Sequence, residues 1–295
     1  MLPGVIFPQT EIGVSPSDLR QYAMAVEDMG YANLLAYDHV VGVDRTRRPD
    51  FQGPFDSKHV FHDAFTLFAY LAGCTERIRF FTGVLVLPQR QTALVAKQAA
   101  AVDVLSSGRL TLGAGVGWNR AEYDAMGIPF KTRGRRFEQQ VALLRELWTK
   151  ESVESDFDGE LLEHAGINPM PVQQPIPIWL GTSAPALLDR VARIGDGWIP
   201  FDTDPKVAAP QISDLRTALA SHGRDSDSFP IEGNLILREW ERERWADTIA
   251  DWQRAGATQV SVATTGLGAT TLNDHLAILE QVRGLFPSEK EGDQQ

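Results

Sequence analysis

Apolar residues fall in two patterns along the 295-residue chain. Short runs rich in β-branched and aliphatic side chains occupy Gly4 to Phe7, Asn33 to Ala36, Ile78 to Val86, Leu110 to Ala114, Ile176 to Leu180, Gly197 to Pro200, Ile231 to Leu237 and Gln259 to Ala263. Between them, apolar positions three and four apart recur at Pro16 to Met29, Ala64 to Cys74, Leu94 to Leu105, Arg135 to Trp148, Pro185 to Ile194, Val207 to Ala220, Arg242 to Ala255 and Leu272 to Val282. The runs read as buried strands and the periodic stretches as amphipathic helices. Each strand is followed by a helix, which implies parallel pairing through crossover helices. Eight such units in this length predict an α/β fold, a (β/α)8 TIM barrel; an open doubly wound sheet is the alternative.

Punctuation agrees with these boundaries. Ser15 and Pro16 offer a cap and a first-turn proline, and Gly30 stands where the first helix should stop. The chain lacks a Ser/Gly-rich linker, so residues 1–286 are expected to form one barrel domain, with residues 287–295 a disordered tail. Two connections are long, from Val40 to Asp63 and from Lys150 to Pro175. Long loops on such a barrel belong at its carboxyl face and are usually functional.

Composition narrows the partners. The apolar content of 43% suffices for a buried core, and the formal charge of -11 opposes a nucleic acid or an anionic membrane surface. A small molecule is the better partner. Cys74 is the single cysteine, so neither a disulfide framework nor a cysteine metal site is expected. The start, MLPGVIFPQT, has no basic leader, and no run approaches the ~18 apolar residues of a membrane span. A cytoplasmic protein is expected.

In a (β/α)8 barrel the chemistry sits just after each strand. Those positions hold Asp38 and His39 after the second strand, Gly83 and Val84 in the third, Gly115, Gly117, Trp118 and Asn119 after the fourth, and Gly181, Thr182 and Ser183 after the fifth. Gly113, Gly115 and Gly117 match neither the dinucleotide fingerprint nor a P-loop, because Trp118 stands where both patterns fail. Taken locally, the glycines allow close strand approach or a kink. The turn from Gly181 to Pro185 can aim N–H groups at a phosphate or simply cap the next helix through Thr182 or Ser183. Arg135 and Arg136 can add charge or form solvated pairs. His39 can serve as acid or base near neutral pH or as a structural hydrogen-bonder. The other histidines lack metal spacing, and no H-E-x-x-H or G-x-S-x-G is present.

Several segments together resemble the luciferase-like flavin and deazaflavin oxidoreductases. They are YDHV at 37–40, FTGVLVLPQRQTALVAKQAAAVDVLSSGRLTLGAGVGWNRAEYDAMGIPF at 81–130, RGRRFEQQ at 133–140, PIWLGTS at 177–183 and GDGWIP at 195–200. The central segment is similar to the branch that uses coenzyme F420. The resemblance implies a flat cofactor ring across the carboxyl ends of the strands, a non-prolyl cis peptide at Gly83-Val84 bracing it, Asp38 and His39 beside it, and a cofactor phosphate at Gly181, Thr182 and Ser183. It also implies that Gly115 and Gly117 keep side chains out of the cofactor's space, with Trp118 and Asn119 lining the edge. One departure is Trp118, where sugar-phosphate dehydrogenases of this family carry a glutamate acid.

These features lead to an F420-dependent oxidoreductase passing a hydride between the deazaflavin and a small organic substrate, with His39 as the acid/base. The alternative is an FMNH2-dependent monooxygenase on the same barrel, and a second alternative is a cofactor-free binding barrel. F420 carries an anionic tail that needs a cationic exit, for which Arg133, Arg135 and Arg136 are candidates. The resemblance also implies a homodimer through the helices at Ala64 to Cys74 and Leu94 to Leu105. Phe51, Phe55 and Phe61 in the first long loop read either as an apolar lining or as packing.

Overall fold

The computed structural model describes residues 1–287, so the predicted tail lies, apart from Pro287, outside the described residues. Its strands are β1 (Leu2–Ile6), β2 (Asn33–Ala36), β3 (Arg79–Thr82), β4 (Leu85–Val86), β5 (Leu110–Gly115), β6 (Val153–Phe157), β7 (Glu160–Ala165), β8 (Ile178–Gly181), β9 (Gly197–Ile199), β10 (Glu232–Ile236) and β11 (Gln259–Ala263). The helices are α1 (Pro16–Asp28), α2 (Ala64–Ala72), α3 (Thr92–Leu105), α4 (Arg120–Ala125), α5 (Arg133–Leu147), α6 (Leu188–Ile194), α7 (Pro205–Ser221), α8 (Trp245–Ala255) and α9 (Leu272–Arg283).

Eight strands run in the order β10, β11, β1, β2, β3, β5, β8, β9, with the short β4 beside β5. A parallel bridge from Trp198 in β9 to Ile231, just before β10, brings the ends of that order together. The fold is therefore the predicted (β/α)8 barrel, nearly closed. Strands β2, β5, β10 and β11 are buried along their whole length. Full burial on both faces fits the apolar runs of β2 and β5, whereas β10 and β11 also bury Glu232, Asn234, Gln259 and Ser261. No helix among the described residues is long and apolar enough to cross a membrane.

Contacts cluster into two units. One comprises residues 1–35, 77–79 and 182 onward. Its large buried side chains include Tyr22, Trp198 and Trp252. At the amino ends of its strands lies a buried polar chain in which Asn33 Nδ2 donates to Gln259 Oε1 at 3.0 Å and Gln259 Nε2 donates to Glu232. Burial pushes the Glu232 carboxyl up to about 7, against the pull of its Ser261 and Gln259 contacts.

The second unit comprises residues 36–76 and 80–181. Here Phe68 of α2 stacks on Phe80 of β3, and the indole of Trp148 donates to the Ala96 carbonyl at 3.1 Å, tying the end of α5 to α3. The connection from Lys150 to Pro175 was expected to be a long loop but contains the antiparallel hairpin β6–β7. Its turn, Asp158-Gly159, has φ of 47° and 81°, the left-handed pair that a two-residue hairpin turn requires. Glu160 docks this hairpin: one carboxylate oxygen accepts from the amide of Thr92 at 2.7 Å, opening α3, and the other pairs with Arg136. No side chain of the helix's own N-cap, Gln91, makes that bond; a carboxylate supplied from the hairpin complements the positive helix end instead.

Candidate active site

All residues of the arrangement described next lie in the second unit. Beyond β2 the chain places Asp38 and His39 side by side with different tasks. The Asp38 side chain is buried and accepts from Arg90 at 2.8 Å and from the amide of Val86 at 3.2 Å. Burial pushes its carboxyl up, while Arg90 and the Val86 amide pull it down. Asp38 therefore pins the segment following β3, with Arg90 reaching on to Asp63 at 3.4 Å. It is engaged within the protein, where the sequence suggested a cofactor contact.

The same segment contains the cis peptide at Gly83-Val84 that the resemblance implies. The Gly83 amide donates to the Ala36 carbonyl at 2.8 Å, so the bulge is held at one end by β2 and at the other by Asp38. The glycines at and just after the end of β5 face the bulge. A Cβ on Gly115 would sit 2.7 Å from a methyl of Val84, and Gly117, at φ +64°, faces Val86. The space they leave is filled by the two valines of the bulge. Trp118 is about half exposed, and Asn119 is buried and caps α4, its Oδ1 accepting from the Ala121 amide at 3.1 Å. Tyr123 ties the turn to that helix by donating to the Val116 carbonyl at 2.6 Å.

Helix α4 delivers a residue that the sequence reading missed. Glu122 is 1% exposed, and one of its oxygens lies 3.0 Å from His39 Nδ1 and accepts from the Val40 amide at 3.1 Å. The other accepts from Gln89 Nε2 at 3.3 Å. A carboxylate beside Nδ1 assigns the proton to that nitrogen. Nε2 is left as the exchangeable atom, since the hydrogen bond of this ring among the described residues is made by Nδ1. Rings pack around the imidazole: Phe61 at 4.8 Å, Phe55 at 5.2 Å and Trp118 at 6.1 Å from the His39 ring centre. His39, Phe55, Phe61 and Asn119 line a recess of about 100 Å³ with Asp56 and His59. The sequence holds Glu122 three residues after Asn119, a spacing that reads as a helix capping box; the side chain turns to His39 instead.

The three arginines predicted for a cationic exit each have a partner within the protein. Arg136 is buried, donating to the carbonyls of Pro88 and Arg90 at 3.1 Å each and pairing with Glu160. Arg135 pairs with Asp158 at 3.1 Å, and the Arg133 guanidinium lies 3.7 Å over the Phe130 ring. Gly181 ends β8. In the other unit, Thr182 Oγ1 accepts from the Ala184 amide at 3.1 Å and Ser183 Oγ from the Phe201 amide at 3.0 Å. The Thr182 hydroxyl closes its own turn and that of Ser183 ties it to the segment after β9, while a 3-10 turn at Pro185–Leu187 separates both from the short α6.

A parallel eight-stranded barrel with a braced histidine just beyond β2 defines an α/β barrel enzyme. The chain belongs to the luciferase-like monooxygenase family, whose model matches residues 1–283. An uncharacterised protein of Mycobacterium tuberculosis is 34% identical over 233 residues, 74% of this chain and 80% of its own. An FMNH2-dependent dimethylsulfone monooxygenase of Pseudomonas putida is 27% identical over 186 residues, 62% of this chain and 51% of its own. Among solved structures, an F420-dependent secondary alcohol dehydrogenase in complex with an F420-acetone adduct superposes with a TM-score of 0.78 at 14% identity, covering 97% of this chain and 99% of that one.

Proposed function

We propose that this protein is an F420-dependent oxidoreductase acting on a small organic alcohol or carbonyl, with His39 as the acid/base. The observation that carries the reading is the His39–Glu122 pair, in which one ring nitrogen is held by a buried carboxylate and the other is open. Bound F420 would supply a two-electron hydride acceptor or donor. In the oxidising direction the hydroxyl proton passes to His39 Nε2, and the Glu122 carboxylate steadies the imidazolium and fixes its orientation. In reduction the same nitrogen returns the proton to the carbonyl oxygen.

Gly83, Val84, Gly115, Gly117, Trp118 and Asn119 are the residues we assign to the ring of the cofactor. Gly115 and Gly117 act in this by seating the valine bulge. We carry the assignment of a cofactor phosphate to Gly181, Thr182 and Ser183 as a separate proposal. Arg136, held by Glu160 and two carbonyls, would act toward the cofactor only by fixing the segment after β4.

That engagement of Arg133, Arg135 and Arg136 favours a second reading, an FMNH2-dependent monooxygenase, because FMN ends at its phosphate and needs no cationic exit for a tail. Titration of purified protein with F420 and with FMN, followed by fluorescence, separates the two. Saturable F420 binding without FMN binding supports the first reading. The reverse supports the second, and binding of neither leaves a cofactor-free barrel.

A homodimer through α2 and α3 is a further proposal, supported by exposed Tyr70, Leu94, Val104 and Leu105 on those helices. Light scattering that gives a monomer mass at micromolar concentration refutes it.

A further inference from the structure

The surroundings of His39 Nε2 speak to the substrate. The His39 side chain is 14% exposed, and its ring neighbours are Phe55, Phe61 and Trp118, whose centres lie 4.8 to 6.1 Å away. Such spacings are those of packed aromatic pairs. Phe55 and Phe61 also contact each other, 4.9 Å apart and nearly perpendicular. Trp118 nevertheless remains 48% exposed, and Phe51, Phe55 and Phe61 are partly exposed. Ring faces of Phe55, Phe61 and Trp118 are therefore presented beside the His39 ring, in a recess that Asp56, Ser57, His59 and Asn119 line with polar groups.

That surface is held in place. Trp118 and Phe51 pack together 6.0 Å apart against the bare backbone of Gly53, where a Cβ would overlap both rings. Arg45 closes the same loop on itself, with its Nε 3.2 Å from Asp56 and its guanidinium donating to the Gly53 carbonyl. The loop from Val40 to Asp63 is thus tied to the turn after β5 by ring packing.

The charges around the site complete the case. Arg45 is held by Asp56, Arg90 by Asp38 and Asp63, Arg136 by Glu160, and Arg133 lies over Phe130. An anionic substrate group near His39 would meet aromatic faces and the carboxylate of Glu122, and its desolvation would go uncompensated. A neutral molecule with one oxygen loses little.

We infer that the substrate is an uncharged, ring-bearing ketone or alcohol, its apolar body against Phe55, Phe61 and Trp118 and its oxygen at His39 Nε2. The inference rests on the catalytic reading of His39. It excludes phosphorylated and carboxylated substrates. Phe61 and Phe55 are then specificity-determining residues, since their rings pack against the His39 ring.

The test uses the purified full chain and three probes: acetophenone, dihydroxyacetone phosphate and pyruvate. Ligand-observed NMR titration should show acetophenone binding at least about tenfold more tightly than either anion, and Phe61→Ser should weaken it by about tenfold through lost apolar contact. Phe55→Leu, a milder change, should weaken it by a smaller factor and guards against a Phe61 variant that fails to fold. Anions binding as tightly as acetophenone, acetophenone failing to bind, or affinity unchanged in both folded variants would each overturn the inference. Mixing acetophenone with the protein and reduced F420 tests the parent reading separately. Binding without oxidation of the cofactor would sink hydride transfer while leaving the substrate class standing.

Discussion

Two buried glutamates contrast the proposed site with a purely structural position. Glu122 and Glu232 are 1% and 0% exposed, yet their partners differ in kind. Glu122 receives Nδ1 of His39, the Val40 amide and Gln89, and its neighbour His39 keeps one nitrogen open. Glu232 opens β10, receives Gln259, and leaves Oε1 without a hydrogen-bond partner. A fully buried carboxylate with so few donors is costly in its charged form, so its carboxyl rises to about 7. The difference teaches that a shifted carboxyl is a poor pointer to chemistry here. The better pointer is location beyond the carboxyl ends of the strands, together with a titratable neighbour whose second atom is unsatisfied.

The largest effects should therefore follow changes at the first pair. Under the F420 reading, His39→Asn should lower kcat by roughly 10²- to 10⁴-fold, the range that a positioned acid/base contributes. Glu122→Gln keeps the shape and removes the charge that orients the ring, so a loss of about 10- to 100-fold is expected. Both should melt near the wild-type temperature. Unaltered turnover in Glu122→Gln would erase the functional contrast between the two glutamates.

A third glutamate tests whether pairing alone determines importance. Glu160 carries the buried Arg136 and the Thr92 amide. Glu160→Ala leaves the guanidinium without that partner in a site where it is 4% exposed, and should cost about 3–5 kcal/mol of stability. Chemical denaturation measures it. Turnover per folded molecule should persist, which would place Glu160 with Glu232 on the structural side.

These three glutamates were unequally legible in the sequence. The eight barrel strands and the helices between them declared themselves through local periodicity, and so did the positions after each strand. His39 could be singled out because it follows a strand directly. Glu122 could not, because its partner is 83 residues away and its spacing from Asn119 already had a local explanation. The partner of Arg136 was hidden for the same reason, since Glu160 lies 24 residues further on in a hairpin taken for a loop. That hairpin had a signal in Asp158-Gly159 between two partly apolar segments.

Glu232 can be examined through pH alone. Its folded carboxyl titrates near 7, against 4.5 as the ordinary value. Below the lower value both folded and unfolded chains hold the proton. Between the two, the unfolded chain releases it while the folded chain retains it, so stability falls as pH rises through this window and the loss is complete above it. The shift corresponds to about 3 kcal/mol. Glu232→Gln should flatten this part of the stability profile and exceed the wild type at pH 8, as measured by urea unfolding. A wild-type profile flat from pH 4.5 to 7 would place Glu232 in a more compensated site, closer to that of Glu122.

The smallest effect concerns the bulge beside the first pair. Gly115→Ala places a Cβ 2.7 Å from Val84, and a branched side chain anchored on a pinned segment has little room to yield. A stability loss of about 1–3 kcal/mol is expected, as for other overpacked sites. If the glycine is bare for the sake of Val84, shortening the valine should relieve the clash. The double variant Gly115→Ala, Val84→Ala should then lose less than the sum of the single losses, with a coupling of about 0.5–3 kcal/mol. Additive losses would mean that Val84 is not the constraint. Unchanged melting of Gly115→Ala together with weaker cofactor binding would restore the reading suggested by the sequence, in which the glycine clears a path for the cofactor itself. Melting temperature and dissociation constant, measured on the same three proteins, therefore decide whether the glycine acts on the bulge or on what the bulge supports.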